Sequence, residues 1–233
     1  TSTSCNSGMS DSNLKKIKNT KKIMKKRFIN QVFSSVSTKY DFMNDLMSLG
    51  MHRIWKEEVI SLLEICKDSL VLDLASGSGD ISIKIKERFN CKCIALDANI
   101  EMLEIAKKKL HSIEPFYING NAENLPFKKT IFDYVIVSFG LRNFNDIPKS
   151  LEEIHRVLKK TGTFICLEFS EVNNPIFRTI IKTYFKAIPS LGLLFANNKF
   201  AYDYLIESIL NFPNQIQLTK KLIQAGFKTI KVI

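Results

Sequence analysis

A chain of 233 residues with 45% hydrophobic content is long and apolar enough to bury one full core, and nothing in it marks a second domain. Most of the formal +11 charge sits in residues 1–39, where nine basic residues oppose the single acid Asp11; the net of +8 there leaves only +3 for the rest, which argues against a nucleic-acid groove in the folded part. Five cysteines, Cys5, Cys66, Cys91, Cys93 and Cys166, contain no Cys-x-x-Cys pair and read as reduced thiols of an intracellular compartment, with no metal site.

Residues 1–29 form a basic arm, Ser/Thr-rich at first and then lysine-rich, with scattered Leu14, Ile17, Ile23 and Met24. Such a stretch reads either as a transit-like segment or as a disordered, solubilising arm. Residues 30–63 follow as a helical cap interrupted by a loop at Ser48–Met51. A single domain is expected over residues 30–233.

The run Val71–Asp80, VLDLASGSGD, passes from an apolar strand straight into a turn built around Gly77 and Gly79. A strand that ends this way and leads into a helix places bare backbone N–H groups beside a nucleotide-like ligand, with Asp73, Gly77, Ser78 and Gly79 as its contacts. A dinucleotide site needs a third glycine where this chain has Ser82, and no Lys-Ser/Thr pair follows for a P-loop. Such turns serve dinucleotides, phosphates and S-adenosylmethionine alike, and these departures narrow the choice.

A helix is expected over Ile81–Phe89, then a buried strand over Lys92–Asn99 that carries Asp97 at its end, 24 residues after Asp73. A carboxylate there can accept both hydroxyls of a ribose. After a helix at Glu101–Leu110, the segment Phe116–Phe127 ends a third strand with Asn121, Ala122 and Glu123, small and amide side chains that suit an adenine edge. Phe132–Phe139 is apolar enough for a central parallel strand, with Ser138 at its carboxyl end. A helix at Ile147–Leu158, a fifth strand at Thr163–Phe169 and a sixth at Lys228–Ile233 complete the alternation. The expected fold is α/β: a doubly wound, mostly parallel, Rossmann-like sheet covered on both faces.

Between the last two strands, residues 170–212 form a helical insertion on the substrate side. Its Ile176, Phe177, Ile180, Ile181, Tyr184, Phe185 and Ile188 make one apolar stripe opposite Arg178, Lys182 and Lys186. That stripe suits either core packing or an anionic membrane surface. It cannot span a bilayer, because charges and Pro189 interrupt it.

Read together, YDFMNDLMSLGMHRIW (Tyr40–Trp55), VLDLASGSGD, GNAENLPF, SFGLRNF (Ser138–Phe144), LEFS (Leu167–Ser170) and YLIESILNFP (Tyr204–Pro213) resemble the ubiquinone/menaquinone biosynthesis C-methyltransferases, a family of class I S-adenosylmethionine enzymes. The resemblance covers about residue 30 onward. It implies S-adenosylmethionine as cofactor and C-methylation of a polyprenyl benzoquinol in ubiquinone biosynthesis, with a demethylmenaquinol as the alternative substrate. It further implies a peripheral place on the matrix face of the mitochondrial inner membrane or in the bacterial cytoplasm, a quinone-biosynthesis complex as partner, and a homodimer. The family continues into one more, antiparallel strand beyond a segment like Gly226–Ile233, so either the ordered region is truncated or the sheet edge is incomplete here. A nucleic-acid methyltransferase and a non-catalytic scaffold are the rival classes; the charge distribution speaks against the first and the intact cofactor loop against the second.

Such a reaction needs a phenolate stabilised and its proton taken. Arg142 and Asn143, directly after the fourth strand, are the leading candidates: Arg142 to lower the phenol pKa, since a guanidinium stays charged, and Asn143 to orient the ring. His52, which titrates near neutrality, and Tyr40 are the alternatives for proton transfer.

Overall fold

Five short apolar runs become the strands β1 (Leu70–Leu74), β2 (Lys92–Asp97), β3 (Phe116–Asn119), β4 (Phe132–Ser138) and β5 (Leu158–Leu167). The computed structural model describes residues 11–37, 40–109, 116–171, 174–196 and 199–233. All four strand pairings are parallel, in the order β3-β2-β1-β4-β5. The chain therefore starts in the middle, winds outward to β3 and crosses back to β4. That reversal opens a crevice at the carboxyl ends of β1 and β4, where sheets of this kind bind ligands.

Burial on both faces explains why the strands are continuously apolar. One face sets Leu72, Leu74, Leu96, Val135 and Val137 against Leu151, Ile154 and Val157 around α6 (Ile147–Val157). The other sets Val71, Cys93 and Ile136 against α3 (Met51–Ser61) and α4 (Asp80–Phe89), through Val59, Ile60, Ile81 and Ile85. The remaining helices are α1 (Asp11–Val36), α2 (Tyr40–Ser48), α5 (Ile100–Lys109), α7 (Pro175–Ala196), α8 (Lys199–Leu210) and α9 (Gln215–Gln224). A separate core of Val32, Met43, Met47, Phe185, Ile188, Tyr202 and Leu205 binds α1, α2, α7 and α8 into one helical cap.

Three expectations meet a different structure. Most of the basic arm is helical, because α1 runs from Asp11 to Val36; its far end is anchored by Ile29 and Val32, and lysine is a good helix former along which the helix propagates. Residues 1–10 lie outside the described residues. β5 begins at Leu158, directly after α6, rather than at Thr163, and pairs there with Phe132. Lys228–Ile233 is not a strand: it has no ladder, and without one a short run gains nothing to offset its chain entropy. The sheet has five strands among the described residues.

The stripe on α7 divides along its length. Phe185 and Ile188 are buried and Ile181 and Tyr184 pack beside them, whereas Ile176, Phe177 and Ile180 stand 71%, 59% and 57% exposed. The Tyr184 hydroxyl donates to the Leu46 carbonyl of α2, so among the described side chains the stripe is fixed as core only from Ile181 to Ile188.

Asp73 sits inside the sheet-helix layer. Its Oδ2 accepts from the Ser82 amide at 3.0 Å and the Ser82 hydroxyl at 2.5 Å, fixing the first turn of α4 against β1. Burial pushes its carboxyl up to about 7 despite those two bonds. The folded value lies above the unfolded one, so stability present below about pH 4 is lost as pH climbs through 7, on the order of 3 to 4 kcal/mol. Asp73→Asn keeps an acceptor and has no proton to lose. Urea melts should show its stability relative to the wild type rising from about pH 4 to about pH 7 and levelling off above; a constant difference would mean that Asp73 titrates normally.

Candidate active site

Beyond Leu74 the backbone turns through Ala75, Gly77 and Gly79 with φ of 58°, 55° and 81°. Left-handed backbone is unstrained for glycine but costly for Ala75, and Phe139, at the end of the neighbouring β4, is left-handed as well at 55°. Gly140 then passes so close that a Cβ on it would stand 2.6 Å from the Ala75 Cβ. Strain and close approach thus coincide at the ends of β1 and β4.

The second wall comes from β2. Asp97 Oδ2 accepts from Gly77 N–H and its Oδ1 from Asn99 N–H, both at 2.8 Å, so this carboxylate shapes the glycine turn. Burial pushes its pKa upward, against those backbone bonds. Asn99 caps α5 through Met102 N–H at 3.0 Å, and its Nδ2 donates to the Asn30 carbonyl and the Ser34 hydroxyl at 3.2 and 3.1 Å. Those two bonds draw α1 across the crevice.

Past β3, Asn121 and Ala122 line the opposite side, and Glu123 Oε1 accepts from Asn145 and Asp146 N–H at 2.9 and 3.3 Å. The fourth strand leads into a 3₁₀ turn, Leu141–Asn143. Asn143 faces the crevice, and its Oδ1 accepts from the Tyr204 hydroxyl at 3.1 Å. Arg142 turns away: Nη1 pairs with Glu168 Oε1, its backbone N–H donates to Glu168 Oε2 at 3.3 Å, and its guanidinium lies 5.4 Å from the Phe169 ring centre. Both side chains of this ion pair are only 4% exposed.

The result is a crevice enclosing about 740 Å³ of empty space, its open mouth included. Of the residues singled out in the sequence it gathers Gly77, Asp97, Asn121, Ala122 and Asn143 on one lining. Asp73 lies beneath it. Gly79 serves packing, since a Cβ there would meet the Ala106 Cβ of α5 at 3.0 Å. The Ser78 hydroxyl reaches Asp80 and Asp41 at 3.3 and 3.4 Å, within a cluster completed by Lys56 and Lys109 that ties the cap to the glycine turn. Lys56, 2.7 Å from Asp80, and Lys109 hold the Asp80 carboxyl below its ordinary range against the effect of burial. Ser138 carries a buried hydroxyl with no hydrogen-bond partner among the described residues.

His52 is buried between α2 and α3, its Nε2 2.9 Å from Asp45 Oδ1, and lies off the crevice lining. Burial lowers its pKa, while Arg53 holds Asp45 down at about 2. His52 thus fastens the α2–α3 corner. Tyr40 opens α2, and its side chain lies outside those described.

Other residues of the site escaped sequence reasoning. Ile29, Asn30 and Phe33 line the crevice from α1, Met102 from α5, and Asn145 from the loop after the 3₁₀ turn. An amide, Asn30, inside the run Phe28–Phe33 was the visible signal for the first group, and an acid between Leu167 and Phe169 was the signal for Glu168.

The lining fits S-adenosylmethionine. Asp97 retains acceptor capacity for a ribose hydroxyl beside its bonds to Gly77 and Asn99 N–H, and Asn145 Oδ1 is a buried acceptor with no partner among the described residues. Ile29, Phe33, Leu96 and Met102 supply apolar walls for a nucleoside.

Comparison with known proteins agrees. Residues 17–232 match the model of the ubiE/COQ5 methyltransferase family. The chain is 46% identical over 226 residues to the ubiquinone/menaquinone biosynthesis C-methyltransferase UbiE of Rickettsia prowazekii, covering 93% of this chain and 90% of that protein. Its likeness to the protein of the same name from Rickettsia akari is 44% over 230 residues, covering 94% and 91%. In fold it is similar to an S-adenosylmethionine-dependent methyltransferase of Thermotoga maritima, with a TM-score of 0.60 at 22% identity, covering 86% of this chain and 82% of that one. With its fold, its strand-end crevice and nearly its whole length matched, the chain belongs to the ubiE/COQ5 methyltransferase family.

Proposed function

We propose that this chain is an S-adenosylmethionine-dependent C-methyltransferase acting on a polyprenyl quinol ring, a benzoquinol of ubiquinone biosynthesis before a naphthoquinol. The observation that supports the reading is that Asn143, a neutral amide, lines the same crevice as Gly77 and Asp97. When bound, the cofactor supplies an electrophilic methyl group. Gly77 and Asp97 hold its nucleoside, Asn121 and Ala122 face the base, and α1 shuts out water through Ile29 and Phe33. Asn143 holds a ring oxygen so that the adjacent carbon points at the methyl. Arg142 works through the turn: its charge is matched by Glu168, and the pair fixes the backbone that presents Asn143. Turnover compared on short-chain benzoquinol and naphthoquinol tests the ring preference; a higher kcat/KM for the naphthoquinol would reverse it.

A substrate with a polyprenyl tail resides in a bilayer. Among the described residues no helix is long and apolar enough to cross one, so we assign the protein to the membrane surface, where the exposed Ile176, Phe177 and Ile180 would dip beside the exposed Lys186. Arg178 already pairs with Glu171 at 3.1 Å and contributes less. Attraction of about 1 kcal/mol per well-placed cation should make binding to anionic vesicles fall with salt, whereas Phe177→Asp should weaken it at every salt concentration. A wild type that ignores anionic vesicles at low salt would assign delivery to a protein partner. A quinone-biosynthesis complex and a homodimer belong to the same proposal, and sedimentation with and without vesicles reads both. The basic, hydroxyl-rich residues 1–29 favour the mitochondrial matrix face, and the rickettsial relatives fit the bacterial cytoplasm. Import of a reporter carrying residues 1–29 into isolated mitochondria decides between them.

A further inference from the structure

Asn143 can offer a ring oxygen either its carbonyl or its amino group, and these select opposite ligands: an acceptor binds a phenol O–H, donors bind a phenolate. The structure supplies the choice. Tyr204, on α8, donates its hydroxyl to Asn143 Oδ1 at 3.1 Å, and its ring is held edge-on by Phe28 of α1, with centroids 5.3 Å apart. Asn143 is fixed from its backbone as well, by its N–H on the Gly140 carbonyl at 3.0 Å. We propose that Tyr204 is a positioning residue that locks the Asn143 amide with its oxygen turned back and its two N–H donors toward the crevice, so that the site selects a ring oxygen in its deprotonated form. This rests on the quinol-methylating reading above.

Tyr204 is well suited to hold that orientation. Burial pushes its phenol up to about 12, so at neutral pH it keeps its proton, and Asn143 Oδ1 is the acceptor recorded for that O–H; a reversed amide would take that acceptor away from a buried donor. The charged groups that face it, Arg142 from the 3₁₀ turn and Glu207 from its own helix, act on that phenol in opposite directions. Arg142 is itself held by Glu168 and does not compete for Asn143 Oδ1. A phenolate lacks the proton that would need an acceptor, and its ring carbon is the stronger nucleophile; its negative charge meets two N–H donors on a neutral amide.

Four variants test this, each measured for turnover on a short-chain quinol and for S-adenosylmethionine affinity. Asn143→Asp keeps the oxygen that Tyr204 binds but turns a second oxygen toward the crevice, so its kcat should fall about 10-fold below that of Asn143→Ala. Tyr204→Phe frees the amide to rotate and should lower kcat about 10-fold while cofactor affinity stays within about twofold of the wild type. Adding Tyr204→Phe to Asn143→Ala should cost nothing further. The proposal is overturned if Asn143→Asp equals or exceeds Asn143→Ala, or if the Tyr204→Phe loss persists in the double variant. Should Tyr204→Phe fail to fold, the order of the two Asn143 variants decides alone. Wild-type turnover in Asn143→Ala would instead remove Asn143 from the site, which is a failure of the functional reading itself.

Discussion

Asp97→Ala is expected to weaken S-adenosylmethionine binding by about 30- to 1,000-fold, or about 2 to 4 kcal/mol. The carboxylate has two tasks that fail together. In the proposed site its remaining lone pairs would accept from the ribose diol, and its bonded ones hold Gly77 and Asn99 N–H at 2.8 Å. Without it, the glycine turn loses the bond that sets its distance from β2, and Asn99, which draws α1 over the crevice, loses its backbone anchor. Calorimetry measures the affinity, and a melt without cofactor separates the two tasks: the fold should survive, since the sheet cores do not include Asp97. Wild-type affinity in this variant would remove Asp97 from the cofactor site.

A comparable loss, but of stability, is expected for Glu168→Ala. Arg142 would remain buried with its charge unmatched, a change that costs about 3 to 5 kcal/mol when a buried pair loses one partner. Glu168 also accepts from two backbone N–H groups, of Arg142 at 3.3 Å and Phe169 at 3.0 Å, so the 3₁₀ turn loosens as well. Replacing both partners, with Arg142→Met added, should recover much of the loss, because a neutral pair leaves no buried charge. Urea denaturation reads both variants. A Glu168→Ala protein within about 1 kcal/mol of the wild type would show that water reaches Arg142 and that the pair does not anchor the turn.

Most of the strands, and the gathering of Gly77, Asp97 and Asn121 on one crevice, were legible in the sequence because strand ends are local features. Asp97, Gly77 and Asn121 each stand where an apolar run stops, and the parallel pairing of β1 with β2 then brings the first two together. Asp73 shows the limit of that logic. It too lies near a strand end, but the alternation of side chains along β1 turns it toward α4 and Ser82 rather than toward the ligand. The Arg142–Glu168 pair joins residues 26 apart across neighbouring strand ends, a relation that no local pattern carries. It changes Arg142 from a free cation facing substrate into the anchor of the turn. α1 was hidden for a different reason: its lysines read as a solvated arm, and its crevice-lining residues acquire meaning only once Asn99 is placed against Asn30 and Tyr204 against Phe28. The α7 stripe was visible as amphipathic, yet its division into a buried and an exposed half depends on where α2 and α8 end.

The central claim is that this crevice transfers a methyl group from S-adenosylmethionine to a ring carbon of a quinol. Incubation of the protein with S-adenosylmethionine carrying a deuterated methyl group and a short-chain polyprenyl benzoquinol, followed by mass spectrometry and carbon NMR of the product, tests it directly. The account predicts one labelled methyl group per ring, bonded to carbon, formed by the wild type and lost with Asp97→Ala. A label on oxygen or nitrogen, or no transfer to either the benzoquinol or its naphthoquinol counterpart by a protein that binds the cofactor, would contradict it.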